Sequence, residues 1–157
     1  MRKDIVIDNN VTKNFSNPLD PEYKKLIRWL LYYDTNNKKK NAYLTVSQKL
    51  LTEYISTSGH SLSESNIVFI IGKLTREGRL PKVSNQQIKS FKLRYFTKRV
   101  VRSLTCTMKD RDHLPVVLLS DRKLALSLDR RFVNDINSFP GFNARAARRP
   151  QYLPYDQ

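Results

Sequence analysis

The sequence holds a single cysteine, Cys106, in 157 residues. One thiol closes no internal disulfide and supplies no structural zinc site, so neither device staples this fold. A lone cysteine also favours a reducing compartment, and nothing beside Cys106 marks it as an activated nucleophile. Glycine is scarce too, with four residues in all. No Gly-rich phosphate loop follows the first apolar stretch, which ranks a nucleotide-binding αβα domain low. No apolar run approaches the roughly 20 residues of a membrane span, and no amphipathic stretch carries a Trp/Phe anchoring face. The opening MRKDIVID is too short in its apolar part for a secretory signal, and Asp8 ends it. Acids are few: 14 Asp and Glu stand against 29 Lys and Arg, a net charge of +15. A small domain this basic is expected to attract polyanions, nucleic acid above all.

What is present reads as strands alternating with helices. Residues 4–8 predict a short buried strand. Asp20 and Pro21 open a helix whose stripe is Tyr23, Leu26, Ile27, Leu30 and Leu31. After the basic loop 34–41, residues 42–46 predict a second strand. Ser47 opens a helix bearing Leu50, Leu51, Tyr54 and Ile55. Ser61 with Glu64, and Ser84 with Gln87, are spaced as capping boxes. TKRVVRSL either extends the helix opened at Ser84 or starts another. Asp112 can cap a helix in which Pro115 is tolerable only in the first turn. Residues 123–128 predict a late strand, and RRFVNDI a short helix. This alternation argues for an α/β fold: a three-layer αβα sandwich with a mostly parallel central sheet. There is no internal repeat or linker. The expected organisation is one domain over 1–141, with 142–157 a basic tail packed on it or extending from it.

Open parallel sheets carry their sites at the carboxyl ends of the strands. Asp8 ends the first predicted strand and Asp129 the last. Glu53 lies in the helix after the second strand, and Asp112 near the start of the helix leading into the last. Right-handed crossovers could bring these four to one rim. Four acids gathered in so basic a chain would repel one another unless cations lay among them. Mg²⁺ or Mn²⁺ fits an all-oxygen donor set, and such a site activates water and steadies a phosphodiester. Taken singly, each acid reads more simply as a turn, cap or solvated helix residue. Asp110 could replace or support Asp112. Asp121 and Asp135 read as exposed helix-end charges, and His113 as a surface or capping histidine rather than a phosphate contact. Tyr32, Tyr33, Phe91, Tyr95 and Phe96 read as core.

Three stretches together resemble the PIN-domain family of metal-dependent ribonucleases: IVIDNNV (5–11), LTVSQKLLTEY (44–54) and DRDHLPVVLLSDRKLALSLDRRF (110–132). The resemblance covers about residues 4–140, though 58–108 carry no motif. It implies a metal-dependent endoribonuclease with Asp8, Glu53, Asp112 and Asp129 as catalytic metal ligands. Asn10, Ser47, Asp110 and Ser127 would support them. Asn9 stands where the family pattern has Thr or Ser, which puts a hydroxyl contact there in doubt. Relatives of this size are often toxins of toxin–antitoxin pairs and act as dimers. The resemblance therefore implies RNA, an antitoxin and a second copy as partners, in the cytoplasm and with no membrane.

Lys89, Lys92, Arg94, Lys98, Arg99 and Arg102 recur along one helical segment. With Arg145, Arg148 and Arg149 they form the candidate backbone-binding surface. A non-catalytic nucleic-acid-binding protein on the same fold is the alternative.

Overall fold

The computed structural model describes residues 1–16, 19–59 and 63–157. Its centre is a four-stranded sheet in the order β2-β1-β5-β6, formed by β1 (Lys3–Ile7), β2 (Ala42–Leu44), β5 (Leu124–Leu126) and β6 (Arg145–Ala147). Every pairing in it is parallel. Ile5, Val6 and Ile7 are buried, as are Leu124, Ala125 and Leu126. Such unbroken apolar runs suit strands covered on both faces. A smaller parallel pair joins β3 (Val46–Ser47) to β4 (Lys82–Val83). The fold is thus α/β, with a parallel central sheet flanked by helices. Among the described residues no helix is long and apolar enough to cross a membrane.

The predicted strand over 42–46 divides in two. Thr45 is where the chain changes partner: its amide donates to Ile5 in the main sheet, and the Val46 amide donates to Pro81 in the small one. The Thr45 hydroxyl is tied down at 2.9 Å by Asp4. Asp4, fully buried within β1, also accepts from the amides of Asp121 (2.8 Å) and Arg122 (2.9 Å). This carboxylate locks three chain segments together, and sequence reasoning gave it no role.

The helices are α1 (Asn9–Thr12), α2 (Pro21–Leu31), α3 (Gln48–Thr57), α4 (Ile67–Arg76), α5 (Asn85–Tyr95), α6 (Lys98–Ser103), α7 (Leu114–Leu118) and α8 (Arg130–Ser138). Asp20 caps α2 with Pro21 in its first turn, and Ser84 with Gln87 forms the expected capping box of α5. Thr97 caps a separate helix, α6, which settles the two readings of TKRVVRSL. The cap expected at Ser61 lies outside the described residues; α4 begins at Ile67, capped by Asn66. Ile55 and Tyr32 are exposed rather than core, at 63% and 58%. Asp135 is buried and accepts from the Thr105 and Cys106 amides, so it is a structural acid and not an exposed charge. Residues 145–147 of the basic tail add the edge strand of the sheet, paired with β5 from Leu124↔Arg145 to Leu126↔Ala147.

Candidate active site

The chain runs from β1 outward to β2, then returns to place β5 on the other side of β1. The strand order therefore reverses between β1 and β5, and the crevice beyond the carboxyl ends of those strands is where such sheets bind ligands. Asp8 follows β1 there, its amide bonded to Leu126 of β5 at 2.8 Å. Ser127 follows β5, and its hydroxyl donates to the Asp8 carboxylate at 2.7 Å. Asn10 braces the same corner. Its amide oxygen accepts from the Leu128 amide at 3.0 Å, and its nitrogen lies 3.4 Å from the Ser127 hydroxyl. Asn9, the departure from the family pattern, accepts from the hydroxyls of Thr57 (3.0 Å) and Thr12 (3.3 Å). It ties α1 to α3. Asn9, Asn10, Thr12, Lys13, Thr57 and Asn66 line a cleft of about 370 Å³ beside this corner.

Electrostatics single out Asp8. Burial is the largest influence and pushes its carboxyl above the usual range. The Ser127 hydroxyl and His113 pull it down, while Asp110 and Glu53 push it up further. The acids that act on Asp8 are thus Glu53 and Asp110. Tyr54, fully buried, donates its hydroxyl to the Ile7 carbonyl. Burial, then Asp8 and Glu53, hold that phenol neutral, well above its ordinary value.

Glu53 faces this corner from α3. Burial works to raise its carboxyl, but the hydrogen bond and charge of His113, with Lys49 and Lys109, outweigh it and hold Glu53 below its ordinary value. His113 Nε2 donates to both Glu53 oxygens at 3.0 Å, and its Nδ1 is buried with no hydrogen-bond partner. Histidine 113 is 3% exposed, so the surface or capping reading is corrected.

Asp112 is corrected as well. Residues Asp110–His113 form a 3-10 turn. In that geometry residues three apart eclipse, so 110 and 113 share a face and 112 points elsewhere. Asp112 meets Lys49 at 3.0 Å and also Lys92, and it caps no helix. Asp110 is steadied by the Thr107 hydroxyl at 3.1 Å, and its charge helps raise the Asp8 carboxyl. Asp129 spends one carboxylate oxygen capping α8, accepting from the Arg131 (2.9 Å) and Phe132 (3.4 Å) amides. Ser47 is fully buried, and its hydroxyl caps α3 through the Leu50 amide, so it does not support the acids. Among the described residues no three His, Cys, Asp or Glu side chains converge closely enough to hold a metal ion.

The basic surface separates into engaged and open groups. Arg149 grips the Asp20 carboxylate at 2.7 and 3.2 Å, Arg148 donates to the Leu128 carbonyl and Arg145 to that of Tyr152. Lys98, Arg99 and Arg102 stand exposed on α6. Burial, aided by Asp135, pushes the Cys106 thiol up to about 12, which removes it as a nucleophile.

The fold has a counterpart among solved structures. The chain folds like a chain of VapBC2 from Rickettsia felis, in the crystal structure of that complex bound to a DNA fragment from its promoter. The TM-score is 0.53 at 14% identity, over 92% of this chain and 97% of that one. At that identity the likeness is one of fold. No family model matches the sequence, and no curated protein does.

Proposed function

We propose that the protein is a Mg²⁺- or Mn²⁺-dependent endoribonuclease of the PIN type. The observation that carries this reading is Asp8. It is a half-buried carboxyl at the strand-order reversal, and two further acids raise the cost of its charge. Such a cluster is unfavourable on its own and favourable around a cation. Oxygen donors from Asp8, Glu53 and Asp110 fit a hard divalent ion in charge and kind, with Asp129 at the rim. When bound, that ion would supply activated water and charge stabilisation at a phosphodiester. The chain's own part is positioning. The Ser127 hydroxyl fixes Asp8, Asn10 fixes Ser127, and His113 holds Glu53 toward the pocket. Exposed Lys98, Arg99 and Arg102 would attract the RNA backbone in a salt-sensitive way. The fold shared with a VapBC2 chain agrees with the toxin reading, in which an antitoxin and a second copy are the protein partners and the cytoplasm the place of action.

The test is hydrolysis of single-stranded RNA in Mg²⁺ or Mn²⁺ and again in EDTA. Cleavage confined to the metal-containing reaction is expected. Asp110→Asn should lose at least about 10–100-fold in that reaction, the loss usual even for a group that only braces a metal ligand. Asp112→Asn should leave the rate at saturating RNA unchanged. Equal losses in the two variants would restore Asp112 to the site.

The lack of three convergent ligands among the described residues favours a second reading, a non-catalytic nucleic-acid-binding protein. It predicts salt-sensitive RNA binding with no hydrolysis at any metal concentration.

A further inference from the structure

Asp112 belongs to a cluster of lysines apart from Asp8 and Glu53. Lys49 of α3 and Lys89 and Lys92 of α5 line, with Asn85, Ile88 and Asp112, a cleft of about 290 Å³. Asp112 is the acid among three lysines there, and it pairs with two of them. The cleft therefore keeps a positive excess of two charges. The pairs are about one-third exposed: the side chains of Lys49, Lys92 and Asp112 stand at 31, 32 and 37%. Ion pairs exposed to this degree contribute little, so an incoming anion displaces the carboxylate at small cost.

The position of this cleft gives it a direction. Lys49 lies one turn before Glu53 on α3, and residues four apart on a helix are neighbours, with Cβ atoms about 5–6 Å apart. On α3, Lys49 and Glu53 therefore share a face one turn apart, while in the 110–113 turn His113 meets Glu53 and Asp112 beside it meets Lys49 and Lys92. A nucleic-acid strand laid across α3 and this turn would meet cations immediately beside the acids.

The geometry points to a phosphate subsite: Lys49, Lys89 and Lys92 bind a backbone phosphate of single-stranded RNA next to the one presented to Asp8, with Asp112 holding the lysines in place until it arrives. This rests on the ribonuclease reading for its substrate, but binding tests it without any hydrolysis. Phosphate, and not base, is what lysines in such a cleft recognise, so the subsite adds affinity without sequence preference.

The experiment is fluorescence anisotropy of labelled oligouridylate, in EDTA, over a range of salt concentrations. Each single-strand phosphate contact adds about −0.7 to the slope of log affinity against log salt. Lys49→Gln and Lys92→Gln should each make the slope shallower by about that amount. Lys24→Gln removes the same charge from an exposed position on α2 and should leave the slope unchanged. Asp112→Asn is the discriminating variant. It frees both lysines and should tighten binding, whereas a purely structural bridge would weaken it or do nothing. Slopes for Lys49→Gln and Lys92→Gln that match the Lys24→Gln control, or an Asp112→Asn variant that binds no tighter than wild type, overturn the subsite. Hydrolysis in Mg²⁺ judges the ribonuclease reading separately. Altered binding with no cleavage would leave the subsite standing and remove the enzyme; normal cleavage with unaltered binding would do the reverse.

Discussion

Asp8→Asn is expected to abolish RNA hydrolysis while making the protein more stable. The loss should be on the order of 10²–10³-fold, as for removal of a single group that stabilises developing charge. The gain follows from what surrounds Asp8. Its carboxyl is pushed up first by burial, and Asp110 and Glu53 add to that against Ser127 and His113. The folded state therefore holds the Asp8 proton more tightly than the unfolded chain does. Stability from this group is fully present below the ordinary carboxylate value and is lost as pH rises through the raised one. At neutral pH the wild type carries that cost. Asparagine removes the charge and keeps an oxygen to accept the Ser127 hydroxyl. Relief of this kind adds about 0.5–2 kcal/mol, and each kcal/mol moves the Tm by about 2–4 °C in a chain of this size. Thermal melts at neutral pH and near pH 4 check it: the variant should gain at neutral pH and lose that advantage in acid. An Asp8→Asn protein that is inactive because it melts early would contradict the account.

Asp4→Ala is expected to be the most damaging substitution for the fold. Three donors converge on this carboxylate in the core: the Thr45 hydroxyl and the amides of Asp121 and Arg122. The Arg122 guanidinium adds a bond to the Asp4 carbonyl at 3.2 Å and feels the carboxylate's charge. Alanine would strand the Thr45 hydroxyl in the interior and leave two part-buried amides without their acceptor. Each buried orphan costs about 1–3 kcal/mol, and breaking a buried charge network costs about 3–5 kcal/mol. A loss in the latter range should lower the Tm by on the order of 10 °C. Urea unfolding should show a lower midpoint at an unchanged slope, the signature of lost stability without a changed unfolded state. Asp4→Asn keeps one acceptor and should lie between the two. A midpoint for Asp4→Ala within the scatter of surface substitutions would mean that Asp4 does not hold the sheet to its flanking turns.

What could be read from the sequence was what depends on local pattern. The apolar run before Asp8, the Asp20–Pro21 opening and the Ser84–Gln87 box are signalled within a few residues, and the structure forms all three. Asp8 stood out as a strand end, Ser127 entered only through the family resemblance, and the two meet. The rest needed contacts between distant segments. Asp4 looks like an ordinary acid near a charged terminus, and its partners lie 41 to 118 residues away. β6 is three residues of a Pro- and Arg-containing tail, with no alternation to announce it. Asp110 and Asp112 are equivalent in one dimension; only the 3-10 turn separates their faces and gives Asp112 to Lys49. His113 was misjudged for the same reason, because its burial follows from Glu53 approaching from α3, 60 residues earlier.

The central claim is that the pocket around Asp8, Glu53 and Asp110 exists to hold a divalent cation. Calorimetric titration of Mn²⁺ into the wild type and into Asp8→Asn, in the absence of RNA, tests this most directly. The account predicts a binding event in the wild type that Asp8→Asn lacks. Identical Mn²⁺ binding by the two proteins, or none by either, would contradict it.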